Sequence, residues 1–212
     1  MDKKLLIEEL HRKLGISIKE LNMLNHDHWY HGTSYANAKI ISSAGVDVTY
    51  NIGNELDFGA GFYLTDTPER ASNYISRVPL IDKNGIPTER TEWAVIDFQF
   101  NPFDILFTPS SNGYKYKNFP KHNEEFATFT LQNRLFNVYN ETPHGYDIIW
   151  GVMSDSFPDQ VILDYKDNKI SYEEAVQKLQ KPNSMKQLYI ANQNICNQLI
   201  IHDIKTMKKE EC

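Results

Sequence analysis

Apolar positions along the chain follow a helical rhythm at first and then alternate between strand-like and helical spacing. Leu5, Leu6, Leu10 and Leu14 share one helix face, and Gly15 follows as the residue that closes a helix in the left-handed conformation. Ser17 and Glu20 have capping-box spacing ahead of residues 18–24. The first 25 residues are therefore expected to be a helical hairpin appended to the main domain or to a partner. No recognition helix follows them, which argues against a helix-turn-helix. From residue 28 the pattern changes. His28, Trp29, Tyr30 and His31 form an aromatic strand that runs into Gly32, and residues 34–44 form a helix ended by Gly45. Residues 58–65 read as a strand interrupted by Gly59 and Gly61. Asp66 or Thr67 then caps a helix with Pro68 near its start, carrying Ala71, Tyr74 and Ile75. Residues 94–100 alternate as a strand, and 123–139 form a helix. The apolar run 146–151 is expected at the centre of a sheet. A second capping box, Ser171 with Glu174, opens a helix near 170–179 and follows the apolar residues of 161–165; 187–190 and 199–202 are the last two strands. The polar stretches 79–92 and 101–121 are expected to be long surface loops. About six strands with interleaved helices make an α+β domain over 28–205, with 1–25 outside it.

Composition narrows the function classes. With 212 residues, 41% hydrophobic and 24% charged, the chain has room for one sizeable domain with a small appendage. It has 28 acidic and 22 basic residues, for a net charge of −6, which argues against a broad surface for nucleic-acid backbones. The only cysteines are Cys196 and Cys212, too few for a disulfide framework, so a reducing cytosol is expected. No signal-peptide core follows Met1-Asp2-Lys3-Lys4, and no run of ~20 apolar residues offers a membrane span. The seven histidines show no metal-ligand spacing, so no metal is expected, and there is no phosphate-binding loop or nucleophile elbow.

The informative block runs from Asp57 through Gly59-Ala60-Gly61-Phe62-Tyr63 to Ala71-Ser72-Asn73-Tyr74, preceded by Tyr30-His31-Gly32-Thr33. It resembles the diphtheria-toxin-like and poly(ADP-ribose)-polymerase-like branch of the ADP-ribosyltransferases. There a His-Gly closes the first strand, Gly-x-Gly-aromatic-Tyr follows, and a second tyrosine lies on the next helix. The chain is most similar to a bacterial domain family without assigned function that is grouped with these transferases. The further residues that carry this likeness are Asn133-Arg134, the strand from Tyr146 to Gly151 with Asp155 beyond it, and Gln187-Leu188-Tyr189-Ile190.

The resemblance implies a split fold, two antiparallel sheets face to face with an NAD+ cleft between them. It implies NAD+ as substrate, contacted by His31, Gly32, Thr33, Tyr63, Tyr74 and Arg134. Elementary chemistry agrees with several of these roles. Nicotinamide in NAD+ is a flat cationic aromatic amide, suited to stacking on tyrosine faces at ~0.5–2 kcal/mol per contact. Gly32, lacking Cβ, lets its main chain approach the carboxamide. His31 can hydrogen-bond a ribose hydroxyl, and the Arg134 guanidinium offers a fork to a pyrophosphate.

The chain departs from the best-known members at one catalytic position. Where they have a glutamate that polarises the ribose 2′-hydroxyl, it has Gln187, which hydrogen-bonds but carries no charge. The expected catalytic set is thus His31, Tyr63, Gln187 and a carboxylate in the same cleft. Asp155 is preferred for that carboxylate, ahead of Asp57 and Glu141, although Asp155 is equally a turn or cap residue before Pro158. On this reading Gln187→Glu preserves or raises activity. The implied activity is mono-ADP-ribosylation of a macromolecule, protein rather than nucleic acid. NAD+ glycohydrolysis or a catalytically silent NAD+, ADP-ribose or partner-binding module are the alternatives. Small transferases of this kind resemble toxins of toxin–antitoxin or phage-defence systems, or injected effectors. Residues 1–25 would then meet an antitoxin or regulatory partner.

Overall fold

A computed structural model describes residues 2–81, 86–108, 111–140, 143–154 and 158–209. In chain order the elements are α1 (Lys3–Leu14), α2 (Ile18–Leu24), β1 (His28–Thr33), α3 (Tyr35–Ala44), β2 (Phe62–Leu64) and α4 (Pro68–Arg77). There follow β3 (Leu80–Ile81), β4 (Pro87–Thr88), β5 (Glu92–Gln99), α5 (Pro102–Phe107), β6 (Tyr116–Phe119) and α6 (Glu124–Phe136). The last are β7 (Ile148–Val152), α7 (Pro158–Lys166), α8 (Tyr172–Leu179), β8 (Lys186–Ile190), α9 (Gln193–Cys196) and β9 (Ile200–Lys208). The protein is α+β, and no helix among the described residues is long and apolar enough to cross a membrane.

Helix ends are set by the residues that the sequence marks. Asp2, Ser34, Thr67, Asn123 and Ser171 each accept an orphan amide of the first turn, and Gly15 turns left-handed after α1. The Ser171–Glu174 box is reciprocal. At Ser17 only half of it forms, because Glu20 turns its carboxylate to the serine hydroxyl at 2.8 Å instead of to the main chain.

The chain divides into two compact units, one of residues 1–45, 64–113 and 197–212, the other of 46–63 and 114–196. In the first, β1, β5 and β9 form an antiparallel sheet with β5 in the middle. Helix α4 packs on β1 and β5, and Ala71, Ile75, Trp93 and Val95 make the core there. Helices α1 and α2 pack together, and α2 lies on α5 with Leu21 and Leu24 fully buried. Lys3 pairs with Asp104 of α5 at 2.9 Å.

In the second unit the sheet order is β2-β8-β7-β6. β7 is interior and all five of its residues are buried, as a continuous apolar run requires. This sheet corrects the expectation of two antiparallel sheets. β6 runs parallel to β7, which is possible because α6 makes the crossover between them. The expected loop 101–121 is likewise not a loop throughout, since it contains α5, capped by Asn101 with Pro102 in its first turn, and β6. The stretch 79–92 holds the small hairpin of β3 and β4.

Candidate functional site

The residues singled out from the sequence divide between the two units. His31, Gly32, Thr33 and Tyr74 belong to the first, while Tyr63, Arg134 and Gln187 belong to the second. Asp155 and Glu141 lie outside the described residues.

In the first unit the main chain at Gly32 is the notable feature. Tyr30 exchanges hydrogen bonds of 2.9 and 2.8 Å with Thr65, an isolated bridge on the side of β1 away from β5. On the opposite side the Phe100 amide donates to the Asp27 carbonyl at 2.9 Å. Main-chain groups of an antiparallel strand alternate sides, so Gly32, two residues after Tyr30, directs its N–H and C=O to the Thr65 side, beyond the bridge. The reason for glycine there is packing. A Cβ would stand 2.2 Å from the Ala71 carbonyl oxygen and 2.9 Å from Ile75 Cγ2, so α4 sits on the bare strand. One turn after Ala71, Tyr74 keeps 47% of its surface exposed on a helix whose Ala71 and Ile75 are buried. Thr33 is buried and His31 half-buried.

In the second unit the Gly-x-Gly-aromatic-Tyr motif is an aromatic and hydrogen-bonded turn. Gly59 is left-handed at φ +83°, and a Cβ on Gly61 would meet Tyr189 Cε2 at 2.3 Å, so both glycines are required. The Asn51 side chain clamps Gly61, donating to its carbonyl at 2.8 Å and accepting from its amide at 2.9 Å. The Tyr63 hydroxyl donates to the Gly59 carbonyl at 2.7 Å and accepts from the Phe58 amide at 3.2 Å. Its ring stacks on Phe58, 6.4 Å between centroids and 13° between planes, and meets Tyr189 at 5.1 Å. Burial, with Tyr189 and Asp57 adding to it, raises the Tyr63 pKa well above the ordinary phenol value, so the hydroxyl stays protonated. His144 completes this wall. Its Nε2 lies 3.0 Å from the Phe58 carbonyl and its Nδ1 accepts the Tyr146 amide, the pattern of a neutral ring protonated on Nε2. Burial lowers its pKa.

Beside the motif lies a buried charged knot. Asp57 is 5% exposed and Arg134 7%. Arg134 Nε and Nη2 reach Asp57 Oδ1 at 2.9 and 2.8 Å, and Nη1 donates to the Glu55 carbonyl and to Asp159, each at 2.8 Å. Ser154 donates its hydroxyl to Asp57 Oδ1 at 2.6 Å and its amide to Oδ2 at 2.9 Å. Burial alone would raise the Asp57 pKa. The Arg134 charge and the two Ser154 hydrogen bonds outweigh it and hold the carboxyl below its ordinary range.

Gln187, also buried, donates from Nε2 to Asp57 Oδ2 at 3.2 Å. Because a carboxylate only accepts, this bond fixes the amide, and Oε1 is turned away from Asp57 as an acceptor. Arg134 is thus not on an exposed face open to a pyrophosphate; its donors are engaged inside the unit. Asn133 is likewise buried and bonds Phe129 and Asn137. Sequence reasoning named Asp57 only as a minor candidate and missed Asn51, His144 and Ser154. Their partners lie up to 97 residues away, and no local pattern marks them.

The chain belongs to the family described as Protein of unknown function (DUF3990), whose model matches residues 28–200. The match opens at the first residue of β1, with α1 and α2 before it. No curated protein matches the chain.

Proposed function

We propose that the protein is an NAD+-dependent mono-ADP-ribosyltransferase of the kind its motifs resemble. The observation that carries the reading is the edge at Gly32. A main-chain donor and acceptor lie beyond the end of a β-bridge, on a strand covered by the helix that bears the exposed Tyr74. A donor and an acceptor side by side match a primary carboxamide, and a tyrosine face matches the flat cationic ring that carries it. Taken by itself, the second unit carries Tyr63 and Gln187, the latter with Oε1 as an acceptor, at the motif positions to which the resemblance assigns nicotinamide and ribose contacts. In the reaction the nicotinamide–ribose bond breaks, its electron pair leaves with nicotinamide, and a nucleophile on the acceptor bonds C1′ and gives up its proton. Arg134 acts through Asp57 by holding it ionised, and Asp57 in turn orients Gln187.

Incubation of the chain with NAD+ labelled in its adenylate part and a cell lysate tests this. Label on macromolecules is expected. Free ADP-ribose would make it a glycohydrolase. Binding without turnover would make it a silent module, a reading favoured by one observation: Gln187 is neutral and the adjacent Asp57 charge is offset by Arg134, leaving little negative potential for an oxocarbenium-like centre.

The two tyrosine properties separate by mutation. Tyr63→Ala is expected to weaken NAD+ binding at least ~10-fold in calorimetric titration, and Tyr63→Phe to leave affinity nearly unchanged while costing ~1 kcal/mol of stability through the lost Gly59 and Phe58 hydrogen bonds. Equal affinity losses would count against stacking.

A further inference from the structure

The first unit also contains a polar recess, formed by the last turn of α4, β4 and the ends of β5 and β9. It is a cavity of about 550 Å³, with Ser76, Arg77, Thr88, Arg90, Trp93 and Lys209 in its wall. Arg90 is the decisive side chain. It is only 7% exposed, and its Nε donates to the Val78 carbonyl at 3.1 Å, closing the end of α4. That bond uses one of the five N–H donors in the guanidinium fork. No carboxylate among the described residues lies within ion-pair distance of Arg90 or of Arg77. Glu89, the acid on the same rim, is paired with Lys209.

A buried guanidinium without an opposite charge is costly, and an anion placed against it removes that cost. Burial lowers the Arg90 pKa. The chain is acidic overall, so a recess whose one described acid, Glu89, is already paired with Lys209 while Arg77 and Arg90 have no ion pair among the described residues is a local reversal of its charge. The volume falls in the range of small-molecule sites and exceeds what a lone phosphate fills. Trp93 and Pro79 give the remainder an apolar wall. The Trp93 ring is held in place by its Nε1 hydrogen bond to Ser72 at 2.9 Å.

We propose that this cavity binds a phosphate-bearing small molecule, its phosphate oxygens taken by Arg90 and Arg77 and its organic part laid against Trp93. The site is separate from the residues assigned above to NAD+, and its test reads binding at Trp93 itself. The chain has three tryptophans, so the indole N–H signals of the ¹⁵N-labelled full chain are readily assigned. Inorganic phosphate and AMP are each expected to shift the Trp93 signal saturably, AMP at least ~10-fold more tightly, and adenosine not at all. Arg77→Gln is expected to weaken both ligands ~10-fold or more and Arg90→Gln to abolish them, as loss of charge-assisted hydrogen bonds predicts. Tyr63→Ala should leave the Trp93 response intact.

AMP binding no tighter than phosphate would identify free phosphate as the occupant and overturn the role given to Trp93. A response that sodium chloride reproduces, that Arg77→Gln leaves unchanged, or that vanishes in Tyr63→Ala overturns the site. Arg77 is exposed, so its variant decides the matter even if Arg90→Gln fails to fold.

Discussion

Replacing Asp57 by alanine is expected to destabilise the protein by about 3–5 kcal/mol, the cost of leaving a buried arginine without its partner. Arg134 would keep the Asp159 carboxylate, but that side chain is 81% exposed and its attraction is screened. Urea unfolding measures the loss, and the double change Asp57→Leu with Arg134→Met should recover much of it, because the pair is then removed together. The pH profile gives an independent reading. The folded pKa of Asp57 lies below the unfolded carboxylate value of ~3.9, so its contribution is present above about pH 4 and is lost as pH falls through the folded value. Asp57→Asn should therefore be less stable at neutral pH and less sensitive to acid. If Asp57→Ala unfolds like the unaltered protein, the knot is not holding the turn from Asp57 to Tyr63.

The second large effect concerns position 187, where the structure changes the expectation taken from the sequence. A glutamate there would meet the Asp57 carboxylate, which Gln187 now contacts at 3.2 Å through a donor that glutamate lacks. Two carboxylates at that distance do not both ionise readily, and burial adds to the penalty, so the new carboxyl is pushed upward in pKa. A raised folded pKa contributes stability below the unfolded value of ~4.3 and loses it as pH rises through the folded value. Gln187→Glu is accordingly expected to cost about 2–4 kcal/mol at pH 7, less near pH 4, and to lower turnover of NAD+ rather than raise it. Thermal melts at the two pH values, with turnover at pH 7, are the measurement. A variant equally stable at both and more active would show that Arg134 neutralises both acids.

What was legible in the sequence is what one segment decides for itself. Ser34, Thr67, Asn123 and Ser171 mark helix starts because a cap and its amide lie two or three residues apart. The central place of β7 could be read because burial on both faces needs an unbroken apolar run. β6 could not, since Lys117 and Asn118 interrupt its pattern and its strand character comes from pairing with residues 148–151. The motif glycines were recognised, but not their packing reasons. Those are Ala71 against Gly32 within the first unit, and Tyr189 against Gly61 in the second, 128 positions along the chain. Gln187 was legible by its place in the motif; Asp57 ranked only behind Asp155 as the carboxylate beside it, because only the folded chain brings the two together.

The first unit is also discontinuous, and that bears on the order in which the protein is made. Its sheet needs β9, which sets Lys208 opposite Glu92, whereas the second unit needs nothing beyond residue 196. Until β9 leaves the ribosome, β5 is a strand with one open edge, a template for unwanted pairing between nascent chains. Closing so long a loop is also a slow step compared with forming local helices. The strand bearing Gly32 therefore gains its finished sheet only after residue 208 has left the ribosome, later than the second unit has all of its residues.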